Sequence, residues 1–192
     1  MTALRFFFDY VDPGSWLLER ALDQFEGGTN VTVERIPFEV TPPPNPLVDP
    51  GTDHWRRFWE GARAASAEEG VALATPRIVP WTRKAHELAL HARASGHFAA
   101  VHRALFTTFL IEGRDLGRVD VLLDVAARHG LDLTATKAVL DVDRHTAEVE
   151  AARTAAERLG VRGVPTLLAD HGRLEGFRGR DATLAFLEAA SR

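Results

Sequence analysis

The spacing of apolar residues changes period along the chain, and each change marks a different kind of element. Residues 4–10 are almost continuously apolar and aromatic, the pattern of a buried strand. Within two residues Asp12-Pro13 supplies a helix start, Asp as N-cap and Pro at the first helical position. Trp16, Leu17, Ala21, Leu22 and Phe25 then recur at helical spacing until Gly27-Gly28. Residues 30–38 alternate through Val31, Val33, Ile36 and Phe38 and predict a second strand. Five prolines in residues 41–51 can continue neither a strand nor a helix, and predict an extended, exposed connection. Beyond it the helical period holds over residues 53–70, 81–95, 97–111, 119–129, 134–142 and 144–159, with Gly70, Gly96, Gly113, Gly130 and Gly160 at or near the ends. The period then returns to that of strands at 165–169 and 174–177, around an Asp170-His171-Gly172 turn, and 181–190 is a closing amphipathic helix.

The predicted order, β-α-β, a helical block, one long helix, then β-β-α, is that of a thioredoxin-like α/β fold carrying a large all-helical insertion. The expected division is 1–50 with 144–192 for the thioredoxin-like part and 51–143 for the insertion.

Composition narrows the chemistry. The 192 residues include no cysteine, which excludes a disulfide framework, a thiolate metal site, a dithiol redox centre and a cysteine nucleophile. With 23 basic against 27 acidic residues the chain has a net charge of −4 and lacks the basic footprint of a nucleic-acid partner. No apolar run is long enough to span a bilayer, and the first one is broken by Asp9, so neither a membrane nor a signal peptide is expected; the expected location is cytoplasmic.

Two segments can carry chemistry. Asp12-Pro13-Gly14-Ser15-Trp16 stands at the carboxyl end of the first strand and the amino end of the first helix, where unpaired N–H groups and the helix dipole favour negative charge. The bland alternative is that Asp12 only caps the helix and the Ser15 hydroxyl lies in water. Gly163-Val164-Pro165-Thr166 precedes a strand, where a proline ordinarily marks only the first residue; a cis Val164–Pro165 bond would present backbone groups to an extended ligand.

Taken together in this element order, the two segments resemble the DsbA-like thioredoxin-fold family, which covers disulfide oxidoreductases, FrnE-type proteins, kappa-class glutathione transferases and 2-hydroxychromene-2-carboxylate isomerase. The resemblance spans nearly the whole chain and also rests on residues 80–86, 106–115 and 160–166, the last being the most specific. It implies that Asp12 stands where the oxidoreductases carry the attacking cysteine and the transferases a serine, and that Ser15 matches the second Cys or Ser of those motifs. By the same resemblance Val164 and Pro165 would pair with the cysteinyl unit of glutathione or another small thiol. Arg180 and Asp181 fall in the segment that meets its γ-glutamyl end, although Asp181 equally suits the N-cap of the closing helix. Asp12 and Ser15 are then the candidate catalytic pair, with Asp12 a general base if burial raises its pKa. Trp16, His86 and Trp81 are the candidate walls of a substrate cleft.

Other patterns carry less. His86 and His91 are five residues apart, about 140° around a helix, whereas shared metal ligation needs i, i+4, so no metal is expected. Arg56 and Arg57 suit a solvated helix face, and Trp55, Phe58 and Trp59 suit a core or cleft wall. Two functions stay open. One is a thiol-cofactor-dependent isomerase or transferase acting on a small aromatic or polyketide-like molecule between the two parts of the chain. The other is a non-catalytic, chaperone-like homologue of the oxidoreductases that binds extended peptide through the Pro165 groove. A homodimer is compatible with either.

Overall fold

A computed structural model describes residues 3–27 and 31–190. The chain forms two compact units, residues 1–40 with 152–192 and residues 41–151. The proline segment thus groups with the helical unit, where Val48 bridges Val79.

The first unit is built on a four-stranded sheet of order β2-β1-β3-β4. Strand β1 (Ala3–Phe8) pairs parallel with β2 (Thr32–Pro37) and antiparallel with β3 (Thr166–Ala169), which forms a hairpin with β4 (Gly172–Glu175). β1 is the central strand with both faces covered, which is why Leu4, Phe6, Phe7 and Phe8 are all buried, in a run broken only by Arg5. Phe6, Phe8 and Tyr10 pack along one side with ring centroids 5.5 and 5.2 Å apart, the second pair edge to face. Phe7 points to the other side, into a cluster with Phe38, Ala156 and Val161. Helix α1 (Pro13–Glu26) crosses from β1 to β2 and packs on α8 (Arg180–Ala190). Arg35 of β2 ties strand to helix, its Nε 2.8 Å from Glu19 and its Nη2 2.6 Å from Glu26.

In the helical unit α2 (Asp53–Glu68), α3 (Arg83–Ala94), α4 (Phe98–Leu110), α5 (Val119–Arg128) and α6 (Leu133–Asp141) follow one another, and α7 (Thr146–Arg158) runs across the division between the units. Helix α3 packs on α4, α5 and α6 and is buried on most sides. Its buried Glu87 is held by Lys84, 3.1 Å away, and by the His145 N–H at 2.9 Å. Trp55 and Trp59 stack at 4.9 Å inside this unit, while Phe58 is exposed.

Most predicted elements appear within two or three residues of their expected bounds. The hairpin differs: β4 starts at Gly172 rather than 174, because Gly172 pairs with Ala169 across a tight Asp170-His171 turn. Pro165 stays outside β3, which begins at Thr166. The closing helix starts at Arg180, so Asp181 sits in its first turn instead of capping it, and the Gly179 carbonyl takes the Thr183 N–H. Gly28 and Asn30 lie outside the described residues.

Candidate functional site

The site grows out of one sharp turn. As β1 ends, the Asp12 N–H returns to the Asp9 carbonyl at 3.2 Å, and α1 begins at Pro13. Asp12 is the N-cap: its Oδ2 accepts the Ser15 N–H and the Ser15 hydroxyl, both at 2.6 Å. Ser15 is fully buried, and its Oγ also accepts the Asp9 N–H at 3.3 Å. The serine hydroxyl is therefore enclosed within the turn rather than lying in water, and Asp12, whose carboxyl it meets, is a partly buried residue.

Burial raises the Asp12 pKa from 3.8 to about 6; the Ser15 and Gly14 donors pull it down, and the nearby Asp9 charge adds to the rise. Asp9 itself is buried and accepts the Tyr10 N–H at 2.8 Å and the Val40 N–H at 2.7 Å, so it pins the end of the β2 segment to the end of β1. Sequence reasoning treated Asp9 only as an interruption of an apolar run. A charged residue at the carboxyl end of a central strand was the available signal.

The second candidate segment lies against this turn. The Val164–Pro165 bond is cis, Pro165 is buried, and Val164 packs on the Phe7 cluster. A Cβ built on Gly14 would lie 3.0 Å from Pro165 Cδ and 3.3 Å from Asp12 Oδ2, so the helix start and the proline loop meet at van der Waals distance. Gly14→Ala is accordingly expected to destabilise the fold by about 1–3 kcal/mol, because the Pro165 ring is fixed to the backbone and cannot swing aside. Urea unfolding of the variant measures this, and an unchanged midpoint would contradict the contact.

The remaining candidates are distributed. Trp16, in α1, is buried with the Arg20 guanidinium 5.9 Å from its ring. Arg180 and Asp181 are exposed at the start of α8, and neither is hydrogen-bonded or ion-paired to Asp12 or Ser15 among the described residues. His86 is only 1% exposed on α3 of the helical unit, while Trp81, in the same unit, is 39% exposed. Arg56 and Arg57 are exposed on α2. No group of three or more His, Cys, Asp or Glu suited to a metal ion occurs among the described residues. No described helix is long and apolar enough to cross a membrane.

Residues 3–189 match the family described as the DSBA-like thioredoxin domain. The chain belongs to that family. Among its relatives, this DSBA-like protein is 27% identical to the uncharacterized protein YwbO of Bacillus subtilis (strain 168), over 93% of this chain and 92% of that one. The probable DsbA oxidoreductase SCO1869 from Streptomyces coelicolor superposes with a TM-score of 0.84 at 23% identity, covering 99% of this chain and 90% of that one. A 2-hydroxychromene-2-carboxylate isomerase gives 0.78 at 20% identity, over 98% and 93%. The cytosolic disulfide reductase DsbM from Pseudomonas aeruginosa, in a structure with GSH, gives 0.70 at 21% identity, over 97% and 98%. At these identities the three structures share its fold. Unlike a dithiol enzyme, this DSBA-like chain has no cysteine, and Asp12 and Ser15 occupy the helix start.

Proposed function

We propose that this DSBA-like protein is a thiol-dependent isomerase or transferase, in which Asp12 takes the proton of a bound small thiol such as glutathione and the resulting thiolate acts on a small aromatic or polyketide-like substrate. The observation that carries the reading is the Asp12 carboxyl, raised to about 6 beside the Pro165 loop. A free thiol titrates near 8.5, so proton transfer to an ordinary carboxylate costs about 6 kcal/mol, whereas transfer to Asp12 costs about 3–4 kcal/mol. The amino end of α1 lowers the thiol's side of that gap further. The transfer also disposes of charge repulsion: the proton leaves sulfur for Asp12, so the new thiolate faces a neutral carboxyl. The enclosed Ser15 hydroxyl holds Asp12 in place and is not spent on the ligand. Val164 and Pro165 would take the cysteinyl backbone of the thiol. The isomerase and GSH-containing structures among the neighbours support this choice of chemistry.

Calorimetry with reduced glutathione and with S-methylglutathione tests the reading. Binding of the reduced form near pH 7, weakened at least tenfold by S-methylation or by Asp12→Asn, supports it. Absence of binding at about 10 mM overturns it, and binding of extended peptides in its place would identify a non-catalytic peptide-binding protein.

A further inference from the structure

A second candidate site is lined wholly by residues of the helical unit. A cavity of about 540 Å³ opens there, within the range of about 300–1,000 Å³ usual for small-molecule sites. Pro43, Leu47, Ile78, Pro80 and Trp81 form its apolar wall. Three of these, Leu47, Ile78 and Trp81, are large hydrophobic residues left 38–39% exposed, so the hollow presents apolar side chains that the fold does not bury. Trp81 is held in position, its Nε1 donating to the Asn45 carbonyl at 3.0 Å.

The polar groups decide what such a wall would take. Both cations on the lining are already committed. Arg83 pairs with Glu150 at 2.7 Å, and Lys84 pairs with Glu87 at 3.1 Å and with Asp143. Asp115 is different: among the described residues it has no ion pair, and its Oδ1 takes only the Gly117 N–H at 2.8 Å. The nearby Arg118 is hydrogen-bonded to both oxygens of Asp120, at 3.0 and 2.9 Å, and reaches Asp115 only through a weaker charge interaction. A Cβ on Gly117 would lie 3.1 Å from both Asp115 Oδ1 and Pro80 Cβ, so glycine lets this carboxylate sit tight against the Pro80-Trp81 segment. An apolar, tryptophan-faced hollow with a carboxylate on its lining that holds no ion pair is complementary to a cation on an aromatic body.

We propose that this cavity binds an arylalkylamine, a ring on a short chain ending in a protonated amine, with Trp81 and Pro80 against the ring and Asp115 supplying the charge. An anionic aromatic of equal size would meet Asp115 with like charge and is disfavoured.

Three isosteric probes, 2-phenylethylammonium, 2-phenylethanol and 3-phenylpropionate, test the assignment by calorimetry and by chemical-shift titration of the full chain. The ammonium is expected to bind about five- to tenfold more tightly than the alcohol, with the propionate weakest. Asp115→Asn, which keeps an acceptor for the Gly117 N–H, removes that preference and leaves the alcohol's affinity unchanged; Trp81→Ala weakens all three. The proposal is overturned if no probe binds at about 20 mM, if the propionate equals or exceeds the ammonium, or if Asp115→Asn retains the full preference. None of these outcomes depends on thiol binding at Asp12.

Discussion

Replacing Asp12 with asparagine is expected to produce a protein that is more stable at pH 8 and, under the proposed thiol chemistry, slower by about 10²-fold or more. The folded state raises the Asp12 pKa from 3.8 to about 6. A raised carboxyl favours folding while it stays protonated, and that contribution is lost as the pH rises from the unfolded value through the folded one. The full linkage is about 3 kcal/mol; discounted for the partial exposure of the group, about 1–2 kcal/mol is carried as a cost above pH 6. Asparagine caps helices as well as aspartate and still accepts the Ser15 N–H, but it has no charge to bury. Thermal unfolding should therefore show equal midpoints for the two proteins at pH 4 and a gap opening to about 3–6 °C in favour of the variant by pH 8. Thiol-dependent turnover should fall by about 10²-fold or more, the usual loss when a general base is removed. A gap independent of pH would mean that the carboxyl is not raised.

The second large effect concerns stability alone. Arg35→Leu is expected to cost about 3–5 kcal/mol, because it strips the partner from a buried charge. The Arg35 side chain is 12% exposed and Glu19 only 1%, and Asp23 and Glu26 converge on the same guanidinium at 3.6 and 2.6 Å. Leucine would fill part of the volume and leave three carboxylates facing one another at the join of α1 and β2. Unfolding of the single variant against Glu19→Met/Arg35→Leu separates pairing from packing: the double variant should recover more than half of the loss. Failure to recover would place the energy in the stem of the arginine rather than in its charge.

Much of this arrangement is legible in the chain because its signals are local. The continuous Phe6-Phe7-Phe8 run marks a central strand, and Asp12-Pro13 marks a helix start, since each depends only on neighbouring residues. The glycines after α2 to α5 and α7 adopt positive φ, from 66° to 79°, as helix-ending glycines do. What the sequence hides is set by partners far along the chain. The Asp9 carboxylate meets Val40, thirty-one residues on, and Gly14 meets Pro165; neither spacing is a pattern that periodicity can reveal. The burial of Ser15 is hidden for a related reason. A serine in a first helical turn is ordinarily solvated, and here tertiary packing closes over it while Asp12 and Asp9 satisfy its hydroxyl. Trp81 and His86 stand only five residues apart, yet Trp81, in the segment before α3, is exposed at a cavity while His86 is sealed on a buried face of α3, a difference set by tertiary packing.

The hydroxyl–carboxyl contact at the head of α1 also changes what the site responds to. A cysteine pair at such a helix start exchanges two electrons with its surroundings, and its resting state follows the oxidising power of the compartment. The Asp12–Ser15 pair has no electrons to exchange. What it can gain or lose is one proton, with a midpoint of about 6, so its resting state follows local acidity. Peroxide or a shift in thiol–disulfide balance would leave this pair untouched, whereas a fall of one pH unit from neutrality would refill much of its carboxyl.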